Sequence, residues 1–162
     1  MTTKVSAAMQ DAGAIVQVVN VQTGAVATGT TQVPHDNTIP QITEGDEYMT
    51  LAITPTNALN ILYIEVVTQA YNNTAAAIVA TCLFVGTTAN GLAVTTNRSS
   101  VANYGGGATL NHKFVAGVAT ELTFRVRIGA SVASTTTLNG YSAAARYGGT
   151  YASSITITEI AV

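Results

Sequence analysis

Charged residues are scarce in this chain: Asp, Glu, Lys and Arg make up 9% of its 162 residues, against about 25% in an ordinary soluble domain. The six Lys and Arg are spread along the whole sequence, which excludes the basic patch of a nucleic-acid-binding protein. A monomer of this size normally depends on surface charge for solubility. We therefore expect Thr, Ser and Asn to cover part of the surface and identical copies of the chain to cover another part.

Cysteine is present only once, so the chain can form no disulfide within itself. Cys82 lies in the apolar run AIVATCLFV, where we predict a buried thiol that packs as a small hydrophobic group. A basic N-terminal cluster followed by an apolar signal segment is missing, and so is any stretch long enough to span a membrane. We therefore expect folding in a reducing cytoplasm and no membrane insertion.

Recognisable catalytic and cofactor motifs are also missing. There is no G-x-S-x-G elbow, P-loop or dinucleotide fingerprint, and two histidines without a cysteine partner make a weak zinc signal. Glu44, Asp46 and Glu47 surround one turn but lack the Asp-x-Asp-x-Asp-Gly spacing of a calcium loop. We predict no enzyme activity, no catalytic residue and no cofactor or metal site, and we leave open only whether these three acids hold an ion.

Small and β-branched residues alternate in polarity along most of the chain, which is the pattern of half-buried β-strands. The alternation is clear in residues 39–53, where the two predicted faces are Met49, Leu51 and Ile53 against Tyr48, Thr50 and Ala52. Roughly eight to ten short strands follow one another with almost no helical periodicity. The sequence predicts an all-β, antiparallel sandwich or barrel. One domain spans residues 14–162, and residues 1–13 form an N-terminal arm.

Two strands depart from simple alternation. Residues 14–21 are apolar on both faces, so we expect a neighbouring subunit to cover the second face. The predicted strand has Val16 and Val18 on one face and Ile15, Val19 and Val21 on the other. In the last strand, residues 154–162, Glu159 interrupts the apolar pattern. That interruption indicates a bulge or an exposed end.

Two arginines share the outward face of residues 121–128. The alternation there places Arg125 and Arg127 on the side opposite the apolar residues. Cross-strand ion pairs stabilise such positions, and the expected partners are Glu65 or Glu121.

Two segments rich in Gly and Tyr, residues 97–108 and 139–152, are predicted to be loops. Adaptable binding loops use Tyr, Asn, Gly and Ser, because these residues combine aromatic area with hydrogen bonding. The candidate binding residues are Arg98, Asn103, Tyr104, Tyr141, Arg146 and Tyr147. Asn139 and Tyr151 belong to the same group of loop residues. The alternative is that the tyrosines pack on glycine backbone and only hold the loops in place.

Three segments of the chain resemble a domain found in virion proteins of tailed bacteriophages. They are residues 13–58, LTFRVRIG (122–129) and YASSITITEI (151–160), and the most specific motifs are TEGDEYMTL and SSITITEI. The similarity spans nearly the whole chain, and the domain it resembles is the C-terminal part of tail fibres and related appendages. The resemblance implies a trimeric β-sandwich of jelly-roll type, and it carries over no ligand-binding residue.

The function that this resemblance implies is structural. We expect a bacteriophage virion protein, made in the bacterial cytoplasm: a homotrimeric tail-fibre or receptor-binding appendage subunit. It would engage a host-surface glycan or protein non-covalently through its loops and contact other virion proteins through residues 1–13. Longer relatives carry a fibrous shaft ahead of the domain, so a separate fibre tip or adhesin is expected here. The alternatives are a capsid decoration or head-fibre protein and, from another class, a polysaccharide hydrolase.

Overall fold

The computed structural model of the protein describes residues 11–73, 76–98, 100–101 and 105–162. Twelve β-strands and a short 3-10 turn at Tyr147–Gly149 are present in these ranges, which contain no α-helix. The strands are β1 (Ile15–Thr23), β2 (Ala27–Gly29), β3 (Asp46–Ile53), β4 (Ile61–Asn72), β5 (Ile78–Val85), β6 (Ala93–Arg98), β7 (Gly105–Val115), β8 (Leu122–Ala130), β9 (Thr136–Leu138), β10 (Gly140–Tyr141), β11 (Ala144–Ala145) and β12 (Ser153–Ile160).

Two antiparallel sheets contain all of these strands except β10 and β11, which form a separate hairpin. The first sheet has the order β1-β12-β4-β7, and the short strands β9 and β2 continue it beside the last residues of β4. The second sheet has the order β3-β8-β5-β6. The molecule is therefore a sandwich of two open sheets.

The connectivity of the longer strands is that of a jelly roll. If β1, β3, β4, β5, β6, β7, β8 and β12 are ranked along the chain, the first sheet reads 1-8-3-6 and the second 2-7-4-5. Strands adjacent in sequence thus alternate between the sheets, except for the hairpin β5–β6 within the second sheet, and form two nested Greek keys, which is the jelly-roll arrangement. The prediction of an antiparallel sandwich of this type is confirmed.

The inner faces of the two sheets enclose one apolar core. Leu62, Ile64 and Val66 of β4 are fully buried and belong to the same cluster as Phe124 and Val126 of β8. Each such side chain contributes about 1.5–3 kcal/mol when it leaves water. The period-two alternation of these strands therefore decides which face of each sheet points inward.

Strand β5 is buried on both faces, and the chain itself covers its second face. Cys82 and Phe84 pack with Val33 and Ile42, which belong to the long connection between β2 and β3. Cys82 is buried, as predicted. Burial, followed by the nearby charge of Glu44, raises the pKa of its thiol to about 12.

Two bulges change the faces that simple alternation predicts. The register of β3 shifts at Tyr48, so this residue does not face away from the core with Thr50. It packs against the core, and its hydroxyl donates to the carbonyl of Thr136 (3.2 Å). A second register shift, between Ile15 and Gln17, places Ile15 opposite Ile160. Ile15 therefore does not share the inward face of β1 with Val19 and Val21. A bulge adds one residue to a strand and so reverses the side-chain parity that follows it.

The strand ends divide the connections between two opposite ends of the sandwich. At the N-terminal end, the N–H of Gly13 donates to the carbonyl of Ala161 (2.8 Å), beside the connections 54–60 and 116–121. At the other end, which we call the loop end, β6 stops, β7 starts and residues 139–152 lead from β9 to β12. The arm predicted for residues 1–13 lies outside the described residues up to position 10, and its last residues join the N-terminal end.

Candidate recognition site at the loop end

Residues 139–152 form an ordered unit and not the irregular loop that the sequence predicts. The hairpin β10–β11 comes first, and the 3-10 turn follows it. Most of the described non-glycine residues with positive φ lie in this segment: Asn139 (55°), Ser142 (47°), Ala143 (60°) and Tyr147 (52°). Such conformations cost about 1–3 kcal/mol each, so the surrounding contacts must hold the segment in place.

Asn139 provides much of that support. Its buried amide donates to the carbonyls of Thr23 (2.7 Å) and Ala25 (3.2 Å), and it accepts a hydrogen bond from the Ser153 hydroxyl (2.7 Å). Its backbone N–H donates to the carbonyl of Gln69 (2.8 Å). Asn139 is thus a structural residue, and the sequence interpretation that grouped it with adaptable binding residues was wrong.

Three tyrosines form a row beside the hairpin. The hydroxyls of Tyr71 and Tyr151 are hydrogen-bonded, and the Tyr151 ring lies 5.8 Å from that of Tyr147. Burial, followed by the bond to Tyr71, raises the pKa of Tyr151 above its usual range. Tyr147 is 79% exposed. The inner tyrosines therefore pack as structural residues, whereas Tyr147 presents its ring to solvent.

The remaining predicted binding residues are placed unevenly. The guanidinium carbon of Arg146 lies 4.8 Å from the centre of the Tyr141 ring, and both residues are exposed. Arg98 ends β6 opposite Ile78 and is also exposed. Asn103 and Tyr104 lie outside the described residues. The structure thus brings Tyr141, Arg146 and Tyr147 together in one segment, while Arg98 stands on a different strand at the same end.

Sequence reasoning missed Tyr71. Alternation along β4 places it on the outer face, where it is in register with Thr137 on one side and Gly105 on the other. An outward tyrosine directly before the Asn72-Asn73 turn was the available signal. What the sequence could not show is that β9 and residue 151 approach it.

The acids at the start of β3 have structural partners. Glu44 accepts a hydrogen bond from the N–H of Gln41 (3.1 Å). Asp46 accepts two from Thr31, one from its N–H (2.9 Å) and one from its hydroxyl (2.8 Å). Within the described residues, no three His, Cys, Asp or Glu side chains are grouped so that they could hold a metal ion. These acids fix the turn that leads into β3.

Glu47 is the ion partner of the two outward arginines. Its carboxylate lies 3.0 Å from Arg125 and 3.7 Å from Arg127. The prediction of Glu65 or Glu121 was wrong, because Glu65 belongs to the other sheet and β3 is the strand that runs beside β8 on this side.

The structure corrects part of the expectation at Glu159: this residue is completely buried and not at an exposed end, and the bulge at this point lies in the paired strand β1, between Ile15 and Gln17. Its Oε1 accepts hydrogen bonds from the N–H (2.8 Å) and hydroxyl (2.9 Å) of Thr56 and from the amide of Asn60 (2.6 Å). Its Oε2 accepts one from the amide of Gln17 (2.5 Å). Burial raises the pKa of this carboxyl, but the hydrogen bonds outweigh burial and lower it. Glu159 therefore ties β12 to β1 and to the β3–β4 connection.

An apolar row crosses the outer face of the first sheet near the N-terminal end. Directly paired positions on β1, β12, β4 and β7 form it: Ile15, Ile160, Ile61 and Val115. Ile15 is 65% and Val115 57% exposed. Val18, in the next row, is 55% exposed. Contiguous exposed apolar side chains of this kind mark interaction surfaces.

Comparison with known proteins yields distant structural likenesses. No protein-family model matches the chain, and no curated protein sequence does. The chain is similar to dimeric latent PorU from Porphyromonas gingivalis, with 10% identity and a TM-score of 0.41, over 93% of this chain and 14% of that one. It is also similar to the enzymatically active domain of tailspike protein 4 from bacteriophage CBA120, with 17% identity and a TM-score of 0.33, over 80% of this chain and 19% of that one.

The chain thus spans a small part of either protein, and scores this low bear on neither fold nor function. The described residues include no helix that is long and apolar enough to cross a membrane.

Proposed function

We propose that this protein is a bacteriophage virion structural protein, a homotrimeric tail-fibre or receptor-binding appendage subunit that engages the host surface non-covalently. The observation that carries the proposal is the polarity of the jelly roll. Exposed Tyr147, Tyr141 and Arg146 lie at the loop end. The arm leads into the opposite end, where the N–H of Gly13 is hydrogen-bonded to the carbonyl of Ala161. A subunit that attaches through one end and contacts a surface with the other requires this arrangement.

Assembly through the apolar row is the second part of the proposal. Ile15, Ile61, Ile160 and Val115 lie on one flat face, and the chain has few charges with which to keep such a face soluble. Packing this face against identical copies would remove it from water, and three copies would give the loop ends avidity for a repetitive surface. The strand of residues 14–21 would then acquire the second cover that its sequence calls for.

A charge substitution in the row tests the assembly. We expect the wild-type chain to be a trimer by light scattering coupled to size exclusion, and Val115→Lys to raise the dissociation constant more than about tenfold, because an unpaired charge is costly to bury. Val94→Lys is the matched control, since Val94 is 48% exposed but lies on β6 of the other sheet. A wild-type monomer at micromolar concentration would overturn the trimer, and equal effects of both variants would place the contact elsewhere.

Host engagement is tested on cells. We expect fluorescent wild-type protein to bind host bacteria and the double variant Arg146→Ala/Tyr147→Ala to lose most of this binding, because both side chains are exposed at the loop end. Val118→Ala, an exposed change at the N-terminal end, should bind like wild type. Unchanged binding by the double variant would refute the role of the loop end. Immunogold labelling of particles separates a tail position from a capsid decoration protein, and a capsid position would favour the latter.

A further inference from the structure

A polar cleft opens at the loop end, beside the hairpin β10–β11. It has a volume of about 440 Å³ and is lined by Asn73, Thr135, Thr137, Ser142 and Ala143. Small-molecule sites typically measure roughly 300–1,000 Å³. Four of the five lining residues carry a hydroxyl or an amide, and none carries a charge. The lining therefore suits an uncharged ligand rich in hydrogen-bonding groups.

Hydroxyl and amide side chains can both donate and accept hydrogen bonds. This dual capacity matches the hydroxyl groups of a sugar, each of which also does both. A carboxylate or phosphate, by contrast, only accepts, and it would call for a cationic side chain in the lining. Arg146 is the nearest candidate in sequence, but it lies over the Tyr141 ring and does not line the cleft.

The cleft lies beside the tyrosine row. Thr137 is paired with Tyr71 across the sheet. Tyr71 is hydrogen-bonded to Tyr151, and the ring of Tyr151 meets that of Tyr147. Polar groups for hydroxyls thus lie next to aromatic rings that can pack against the C–H face of a sugar. Pockets that combine aromatic area with a few placed polar groups fix both the affinity and the orientation of a ligand.

One wall of the cleft is held in an unusual backbone conformation. Ser142 and Ala143 form the two-residue turn of the hairpin, and both have positive φ (47° and 60°). Turns of this kind are normally made by Asn-Gly or Gly-Gly, because other residues seldom adopt positive φ. The buried contacts of Asn139 fix the base of the hairpin that carries this turn. The wall is therefore preformed, which reduces the entropy lost when a ligand binds.

We infer that the cleft and the adjoining tyrosine row bind an uncharged pyranose unit of a host-surface glycan. The cleft lies at the end assigned above to host engagement, so this ligand class rests on that proposed function. In the bound state, the hydroxyls of Thr135 and Ser142 and the amide N–H of Asn73, whose Oδ1 already accepts from the N–H of Thr135 (3.1 Å), hydrogen-bond the ring hydroxyls. The exposed ring of Tyr147 contacts the neighbouring sugar. The site binds the glycan non-covalently and breaks none of its bonds.

The test uses the full-length wild-type chain with methyl glucoside, methyl galactoside, methyl mannoside and N-acetylglucosamine as neutral probes. N-acetylneuraminic acid is the anionic probe and glycerol the control polyol. Saturation-transfer NMR should show millimolar binding of at least one neutral pyranose and none of glycerol. Thr135→Val, at the half-buried threonine of the lining, should weaken that binding about tenfold, the loss of one hydrogen bond. Thr50→Val, an exposed threonine on the other sheet, should leave binding unchanged.

A second variant keeps the test decisive if Thr135→Val fails to fold. Tyr147 is 79% exposed, so Tyr147→Ala should fold normally and should weaken binding of a disaccharide more than of a monosaccharide. Binding of no neutral probe, binding of the anionic probe alone, or equal binding by wild type and both variants would overturn the inference. Loss of cell binding by the Arg146/Tyr147 variant, combined with no sugar binding, would leave the proposed function standing and remove only the ligand class.

Discussion

Among the described residues no cation pairs with the buried carboxylate of Glu159, so replacing this residue should reveal how much its hydrogen bonds stabilise the fold. The variant Glu159→Gln keeps the shape but places an NH2 group opposite the amide of Gln17, which already donates to Glu159 at 2.5 Å and to the carbonyl of Thr54 at 2.8 Å. One charge-assisted hydrogen bond is lost and the three from Thr56 and Asn60 weaken. Hydrogen bonds to charged groups contribute about 1.5–3 kcal/mol each, so we expect a loss of about 3 kcal/mol.

The direction of the pKa shift supports this sign. Because the folded protein lowers the pKa of Glu159, the fold prefers the ionised carboxylate in spite of its burial. A neutral isostere therefore loses more in hydrogen bonding than it gains in desolvation. In a domain of this size, 1 kcal/mol corresponds to about 2–4 °C in Tm, which gives a decrease of roughly 6–12 °C.

The pH dependence provides an independent check. A depressed folded pKa stabilises the protein above the ordinary pKa of 4.5, and this contribution is lost as the pH falls through the folded value. The difference in free energy of unfolding between wild type and Glu159→Gln should be constant above about pH 5 and shrink below it. Urea unfolding followed by circular dichroism from pH 7 to pH 3, at one protein concentration, measures both quantities.

Two outcomes would refute the reasoning about Glu159. One is a variant within about 0.5 kcal/mol of wild type at pH 7, the usual range for an inconsequential surface change. The other is a difference that stays constant down to pH 3. Glu121→Gln is the matched control. Because Glu121 is exposed, this change should leave both the free energy of unfolding at pH 7 and its dependence on pH as they are in wild type.

Four further predictions concern the core and the second sheet. Burial raises the pKa of the Cys82 thiol to about 12, so it should not react with an aromatic disulfide reagent at pH 8 until denaturant is added; rapid native reaction would contradict its burial. Phe124→Ala should cost about 3–5 kcal/mol in urea unfolding, and a loss under 1 kcal/mol would show that this core can collapse around the cavity. Arg127→Ala should cost about 2 kcal/mol, because this side chain donates to two backbone carbonyls (3.0 and 2.7 Å). Glu47→Gln should cost less than about 1 kcal/mol, as exposed ion pairs do, and a reversed order of these two losses would contradict the assignment.

Alternation allowed most of the core to be predicted. Leu62, Ile64 and Val66 in β4, and Phe124, Val126 and Ile128 in β8, all point inward as their spacing of two requires. The exceptions are local. At Tyr48 and Ile15 a bulge adds one residue, and no composition signal distinguishes such a position from a regular one.

The partners of polar residues could not be predicted from the same pattern. Glu159 continues the spacing of Ile155 and Ile157, but its charge led us to predict a bulge or an exposed end. The carboxylate can be buried there because the amides of Gln17 and Asn60, which are distant in sequence, donate hydrogen bonds to it. Arg125 likewise pairs with Glu47 because β3 runs beside β8. No local sequence signal specifies which strand becomes this neighbour.

The candidate recognition site, too, could be predicted only in part from the sequence. Tyr141, Arg146 and Tyr147 follow closely in sequence, so their composition alone marked them as loop residues available for binding. The cleft beside them is lined by residues from three separate parts of the chain, at 73, at 135 and 137, and at 142 and 143. These residues meet because β9 pairs with the end of β4 and the hairpin folds back next to it.

The sequence by itself therefore determined the class of fold, the inward faces of the strands and the burial of Cys82, because side-chain period and polarity are local properties. Tertiary structure decided the order of the strands, the partners of Glu47 and Glu159, the apolar row across four strands and the polar cleft. Each of these depends on which distant segments become neighbours, and that is settled by how the two sheets together bury the most apolar surface while most enclosed polar groups find a partner.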